Sequence, residues 1–164
     1  PLASMLAPLA NILAIPMSTL SSGGLDQDIF TFKSFKLIPI ICYESAYSSL
    51  IKTNNDDYSV IVNLSNDSWF GNSFAPHQHL QITQVRAIEF QRNLLRAANT
   101  GISAHINKHG IIIEKLNYNT SGVIQSDIIA TKGSTPFSRF GDYPVLMLIF
   151  IVIVFYLARI KKHD

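Results

Sequence analysis

Cysteine is nearly missing from this chain: Cys42 is the only one in 164 residues. A single thiol excludes an internal disulfide framework and any zinc cage built from cysteines. Charge is sparse too, at 15% of residues, and the net is only +2. The basic residues are scattered, so the chain carries no nucleic-acid footprint. There is no glycine-rich phosphate loop. There is no Gly-x-Ser-x-Gly elbow either, so a serine hydrolase is unsupported. Internal repeats and low-complexity tracts are lacking. No signal peptide opens the chain, and Pro1 stands where an initiator Met would. The expectation is a piece of a longer protein. Its length suffices for one domain with a real core.

What is there centres on Ile40-Ile41-Cys42-Tyr43-Glu44. Leu37 to Ile41 is a short apolar run with β-branched residues, which predicts a buried strand. The run stops at Cys42, and Glu44 and Ser45 open a short helix to Lys52. A thiol at a strand-to-helix turn faces the first backbone N–H groups of the helix. Those groups lower a thiol's pKa and stabilise an oxyanion. Against this stands the plain alternative that Cys42 is a buried, inert small hydrophobe.

Upstream, Pro1 to Met17 is uncharged and interrupted by Pro8, Asn11 and Pro16, so short helical turns are expected rather than a spanning helix. Ser18 to Asp28 reads as a loop. Phe30, Phe32 and Phe35 alternate with polar residues, which predicts one half-exposed strand over Ile29 to Lys36. Downstream, Thr53 to Asp57 is a turn and Ser59 to Leu64 a second buried strand. That strand runs into a polar loop, Ser65 to Asn72, which holds the only tryptophan, Trp69. A loop straight after a buried strand is a usual site position in α/β folds, though Trp69 and Phe70 fit equally well as caps on the core.

Pro76 opens a helix expected to reach Ala98, with Ile82, Val85, Ile88, Leu95 and Ala98 on one face and Arg86 paired to Glu89. His77 and His79 two apart point their rings in different directions, so no metal site is assigned. Ile102 to Asn107 and Ile111 to Leu116 predict a hairpin, and Val123 to Ile129 a further strand. Val145 to Ala158 contains no charged residue, and Arg159, Lys161 and Lys162 follow at once. Tyr143 and Tyr156 lie near the two interfaces, so a membrane helix with a cytoplasmic basic tail is expected. The fold class is α/β.

Three stretches together are similar to a known family: Ile40 to Glu44; Asn63 to Gly71, containing Asn-Asp-Ser-Trp-Phe-Gly; and Arg86 to Glu89 with Arg92, Leu95, Arg96 and Asn99-Thr100-Gly101. This pattern resembles the C-terminal half of the nitrilase-like domain of the apolipoprotein N-acyltransferase family, and it covers essentially the whole chain. The resemblance implies part of a stacked α-β-β-α sandwich over residues 1–141 and a transmembrane segment over 142–162. It implies a Glu-Lys-Cys triad with Cys42 as the nucleophile, Tyr43 and Glu44 as neighbours needed for activity, and Trp69, Asn66 and Phe70 on the substrate loop. The family's Glu and Lys precede the stretch that opens here, and neither Lys33 nor Lys36 matches that Lys.

The implied reaction moves a fatty acyl chain from a phospholipid to the N-terminal cysteine amine of a diacylglyceryl-modified apolipoprotein, through a thioester on Cys42 and without a cofactor or metal. The implied setting is a multi-pass protein of the inner membrane with its catalytic domain in the periplasm. Two other functions remain open at this stage. One is a nitrilase-type amidase for small amides, which has no use for the terminal helix. The other is an inactive membrane-anchored remnant.

Overall fold

The computed structural model describes residues 28–52 and 58–160. Expectations for Pro1 to Gln27, the turn at Thr53 to Asp57, and the tail with Lys161 and Lys162 lie outside those residues.

Six strands form one mixed sheet in sequence order. They are β1 (Phe30–Phe32), β2 (Phe35–Ile41), β3 (Val60–Asn66), β4 (Asn93–Asn99), β5 (Ser103–Ile106) and β6 (Ile112–Leu116). The β2–β3 and β3–β4 pairs are parallel, while β1–β2, β4–β5 and β5–β6 are antiparallel. Among the described residues four helices accompany them: α1 (Ser48–Ile51), α2 (Ala75–Phe90), α3 (Pro136–Phe140) and α4 (Tyr143–Ile160).

Register explains the core. Ile38, Ile61, Leu94 and Ile106 are aligned across four strands, and all four are fully buried. Burying each such side chain contributes about 1.5–3 kcal/mol. Helix α2 packs here through Leu80, Ala87 and Phe90. Two residues further along each parallel strand the same face turns polar, with Asn63 and Arg96 beside Ile40. The opposite face is apolar and partly bare, with Val62 and Leu95 half-buried and Ile41, Leu64 and Ala97 exposed.

Several sequence expectations need correction. The strand expected over Ile29 to Lys36 is a hairpin, because Lys33 takes a left-handed φ of 53° and folds β1 back on β2. The helix after Cys42 is two pieces, a 3-10 turn (Cys42–Ala46) and α1, broken at the extended Tyr47.

The helix expected to run to Ala98 ends at Phe90, where Gln91 adopts φ 50°. Leu94 to Ala98 have good helix propensity, but parallel pairing with β3 overrides it. Leu95 and Ala98 therefore lie on a strand, and Val85 and Ile88 face solvent. The buried stripe of α2 is instead Pro76, His79, Leu80, Thr83, Ala87 and Phe90. A phase drawn from aliphatic residues alone missed it, because two of those positions are polar.

Val123 to Ile129 is not a strand of the sheet and makes no ladder. Side chains of the sheet hold it instead: Asn93 Nδ2 donates to the Ile129 carbonyl at 2.8 Å, and His105 Nδ1 meets Ser126 Oγ at 2.5 Å. The expected β5–β6 hairpin is present, as is the Arg86–Glu89 pair at 2.9 Å. Helix α4 is 18 residues with a mean hydropathy of 2.4, and none of it is buried against the rest of the chain. At 1.5 Å per residue it is about 27 Å long, close to a hydrocarbon core of about 30 Å.

Candidate active site

The C-terminal ends of the parallel strands β2, β3 and β4 converge at one place. That end of a parallel sheet is where α/β proteins put their chemistry. Strand β2 delivers Cys42, β3 delivers Asn63, Ser65 and Asp67, β4 delivers Arg96, and α2 returns His79 to the same point.

Cys42 sits just past the last residue of β2 with φ 51°. A non-glycine residue in this left-handed region is strained by roughly 1–2 kcal/mol. Cys42 is half-buried, and the chain turns directly there into the 3-10 segment. The conformation is held from two sides. Glu44 Oε2 accepts the Ile41 N–H at 2.6 Å, which ties the turn to the strand end. The Cys42 carbonyl accepts from Ser45 Oγ at 3.2 Å, Asn63 Nδ2 at 3.3 Å and His79 Nε2 at 3.2 Å.

Behind those donors lies a buried polar cluster. Asp67 Oδ1 meets His79 Nδ1 at 3.0 Å and accepts from Ser65 Oγ at 2.7 Å. Asp67 Oδ2 accepts from Arg96 Nη2 at 2.7 Å. Arg96 also donates to Asn63 Oδ1 and, from Nε, to the Ile102 carbonyl at 3.2 Å. Burial opposes the charge on Asp67, but the His79 and Ser65 hydrogen bonds and the Arg96 cation outweigh it and lower its pKa to about 2. Burial likewise lowers Arg96, opposed by Asp67. A guanidinium remains charged through such a shift.

Gly101 completes the cluster. A Cβ there would stand 2.2 Å from Asp67 Oδ2, so only glycine leaves room for the carboxylate.

Aromatic side chains gather beside His79, next to the Cys42 turn. The Tyr43 and Phe70 rings lie 5.9 Å and 6.1 Å from the His79 ring, and Tyr43 meets Tyr47 edge-on at 6.3 Å. Trp69 is 85% exposed, and Phe74 and Tyr43 are also open to solvent. Asn66 Oδ1 accepts from Ser68 N at 3.2 Å, which shapes the 3-10 turn (Ser68–Phe70) carrying Trp69. The structure thus gathers Cys42, Tyr43, Glu44 and Phe70 around one point, with Asn66 and Trp69 on the adjoining loop. Trp69 does not cap the core.

Sequence reasoning missed Asn63, Asp67, His79, Arg96 and Gly101 as site residues. It weighed His79 only as half of a metal pair. The histidines do diverge: His79 is buried, and His77 is exposed and stacked on Phe74 at 5.3 Å. A signal was available, because Asn63 and Arg96 interrupt otherwise apolar strands. Buried polar groups need partners, so each pointed to the other.

Comparison with known proteins agrees with this geometry. The carbon-nitrogen hydrolase family model matches residues 12–136. Proteins named apolipoprotein N-acyltransferase from Nitrosomonas europaea and Rickettsia prowazekii are each 39% identical, over 94% and 93% of this chain. One from Photobacterium profundum is 37% identical over 88% of it. The chain spans only 28–32% of the length of these three relatives.

Among solved structures, a carbon-nitrogen hydrolase from Helicobacter pylori superposes with a TM-score of 0.52 at 14% identity. The match covers 59% of this chain and 41% of that one. A CN-hydrolase superfamily protein from Xanthomonas campestris gives 0.50 at 15%, covering 77% and 51%. With its family model spanning 12–136 and the fold shared, this chain belongs to the carbon-nitrogen hydrolase family.

Proposed function

We propose that this chain is the nucleophile-bearing part of an N-acyltransferase that moves a fatty acyl chain from a phospholipid to the N-terminal cysteine amine of a diacylglyceryl-modified apolipoprotein. The observation that carries the proposal is the strained Cys42 turn at the strand end, its carbonyl clamped by Ser45, Asn63 and His79. Relatives bearing the apolipoprotein N-acyltransferase name support it.

In the first step the Cys42 thiolate attacks the ester carbonyl of the phospholipid. The resulting oxyanion is held by backbone N–H groups, with that of Tyr43 the nearest candidate. The intermediate collapses to a thioester on Cys42, and the lysophospholipid alkoxide leaves with a proton. In the second step the α-amine of the acceptor attacks the thioester. It loses a proton to a carboxylate and returns the thiolate. Activating the thiol calls for a base and a cation beside it. We assign these to a Glu and a Lys in residues that precede this chain in the whole protein, so residues 1–164 alone are inactive. In the structure Glu44 ties down Ile41, which fits a supporting role beside the nucleophile.

The bare apolar sheet face with Ile41, Leu64 and Ala97 suits burial under a second sheet, as in an α-β-β-α sandwich. Residues 1–141 would then be the catalytic portion. Helix α4, within 142–162, crosses the inner membrane of a multi-pass protein. Its basic end lies in the cytoplasm and the active site on the periplasmic side. Both substrates reside in a bilayer, and Trp69, Tyr43 and Phe74 give their chains an apolar approach.

The test is transfer by the whole protein. Cys42→Ala and Cys42→Ser are expected to abolish acylation of a lipopeptide while the protein remains folded. Transfer that survives in Cys42→Ala would refute the proposal. Turnover of small amides in place of acyl transfer would point to an amidase.

A further inference from the structure

Ser45 Oγ, His79 Nε2, His79 Nδ1 and Asp67 Oδ1 are connected at 3.1 and 3.0 Å, the hydroxyl–imidazole–carboxylate order of a hydrolase relay. The relay cannot serve substrate directly. Ser45 is fully buried, and its hydroxyl donates to the Cys42 carbonyl. His79 is 2% exposed and reaches the same carbonyl. The chain of bonds therefore ends on the backbone of the nucleophile. A carbonyl only accepts, so the clamp operates in the form of His79 that carries a proton on Nε2, with Nδ1 3.0 Å from Asp67 Oδ1 and 3.1 Å from Arg96 Nη2. The far side of the ring is fixed by Asp67, which Ser65 and Arg96 hold in turn. A ring braced in this way has no freedom to follow a moving carbonyl. It sets where the carbonyl must be.

We infer that His79 is a positioning residue for the acylation of Cys42, rather than one more packed side chain. The left-handed conformation of Cys42 persists only while its surroundings impose it, and the carbonyl clamp is what imposes it. Loss of the Nε2 donor relaxes the turn and swings the thiol off its line of attack, although His79 never touches substrate. Misplacement of a reacting atom by about 1 Å costs up to roughly a hundredfold in rate. The effect falls on the chemical step and leaves phospholipid binding intact. This inference rests on the proposed role of Cys42.

The experiment compares His79→Asn and His79→Gln in the whole protein, with Cys42→Ala as control. The Asn amide reaches the Nδ1 position and Asp67. The Gln amide reaches the Nε2 position and the Cys42 carbonyl. Single-turnover acylation is followed by intact mass with vesicles of phosphatidylethanolamine and phosphatidylglycerol, and alkylation by iodoacetamide is followed in parallel. At saturating lipid, His79→Asn is expected to slow acylation by about tenfold or more, with half-saturation unchanged within about twofold. His79→Gln is expected to recover most of the rate. Iodoacetamide should react with wild type, Gln and Asn in that same falling order.

A purely structural role makes both rates track thermal stability, with Gln no faster than Asn. That result, or a wild-type rate in His79→Asn, overturns the inference. If Cys42→Ala still transfers acyl chains, the catalytic reading of Cys42 fails instead, and the iodoacetamide order alone decides the positioning role.

Discussion

Replacing Gly101 with alanine tests the buried cluster without removing any of its polar atoms. The added Cβ would stand 2.2 Å from Asp67 Oδ2, 2.7 Å from its Cγ and 2.9 Å from the Ala98 Cβ, where contacts under 3.0 Å are essentially never seen. Gly101 does not occupy the left-handed region, so backbone strain adds nothing to the effect. The carboxylate cannot step aside freely, since Ser65, His79 and Arg96 all hold it.

Overpacking a tight site costs about 1–3 kcal/mol. A displaced carboxylate also leaves the Arg96 guanidinium buried without its counter-charge, and breaking a buried pair costs about 3–5 kcal/mol when complete. Partial displacement therefore predicts a loss of about 2–4 kcal/mol, or roughly 5–15 °C in unfolding temperature. Differential scanning fluorimetry of the whole protein reads it directly. Gly122→Ala is the control: there the new Cβ meets only the Leu116 side chain, at 3.1 Å, and the shift should stay within about 2 °C. A Gly101→Ala protein as stable as wild type would refute the packing of Asp67 against this glycine.

Trp69→Ala should lower acyl transfer while leaving the unfolding temperature within about 2 °C, because a side chain this exposed contributes little to packing. Lost stability with normal specific activity would contradict the substrate-loop assignment. Asp67 has a folded-state pKa lowered from 3.8 to about 2, so its stabilising contribution is complete above pH 3.8 and fades as pH falls toward 2. Unfolding temperature should drop across that window in wild type and drop less in Asp67→Asn; equal slopes would show that the shift is absent. A cysteine added after Asp164 should resist a membrane-impermeant maleimide in intact cells and react once the cells are opened, and labelling of intact cells would invert the proposed topology of α4.

The strand end at Cys42 and the terminal apolar helix were legible because their signals are local. The Leu37 to Ile41 run ending at a lone cysteine announces a strand end. The apolar 145–158 stretch with basic residues behind it announces a helix able to span a bilayer. What stayed hidden depends on tertiary pairing. Leu94 to Ala98 read as helix from propensity, and only the ladder with β3 makes them a strand. His79 lies on the buried face of α2, yet a phase drawn from Ile82, Val85 and Ile88 put that face outside. Val123 to Ile129 has strand alternation but is held by side chains of the sheet instead of a ladder. Polar residues inside apolar strands were the overlooked cue, since Asn63 and Arg96 need buried partners and find them in each other, in Asp67 and in backbone carbonyls.

The central claim is that Cys42 carries the acyl group. The whole protein, given phospholipid vesicles and no lipoprotein acceptor, should gain an acyl-sized mass that hydroxylamine removes. Cys42→Ala should gain none, because the storage step needs a thiolate at this one strand-end turn. An acyl adduct that persists in Cys42→Ala, or acyl transfer by that variant, would contradict the account.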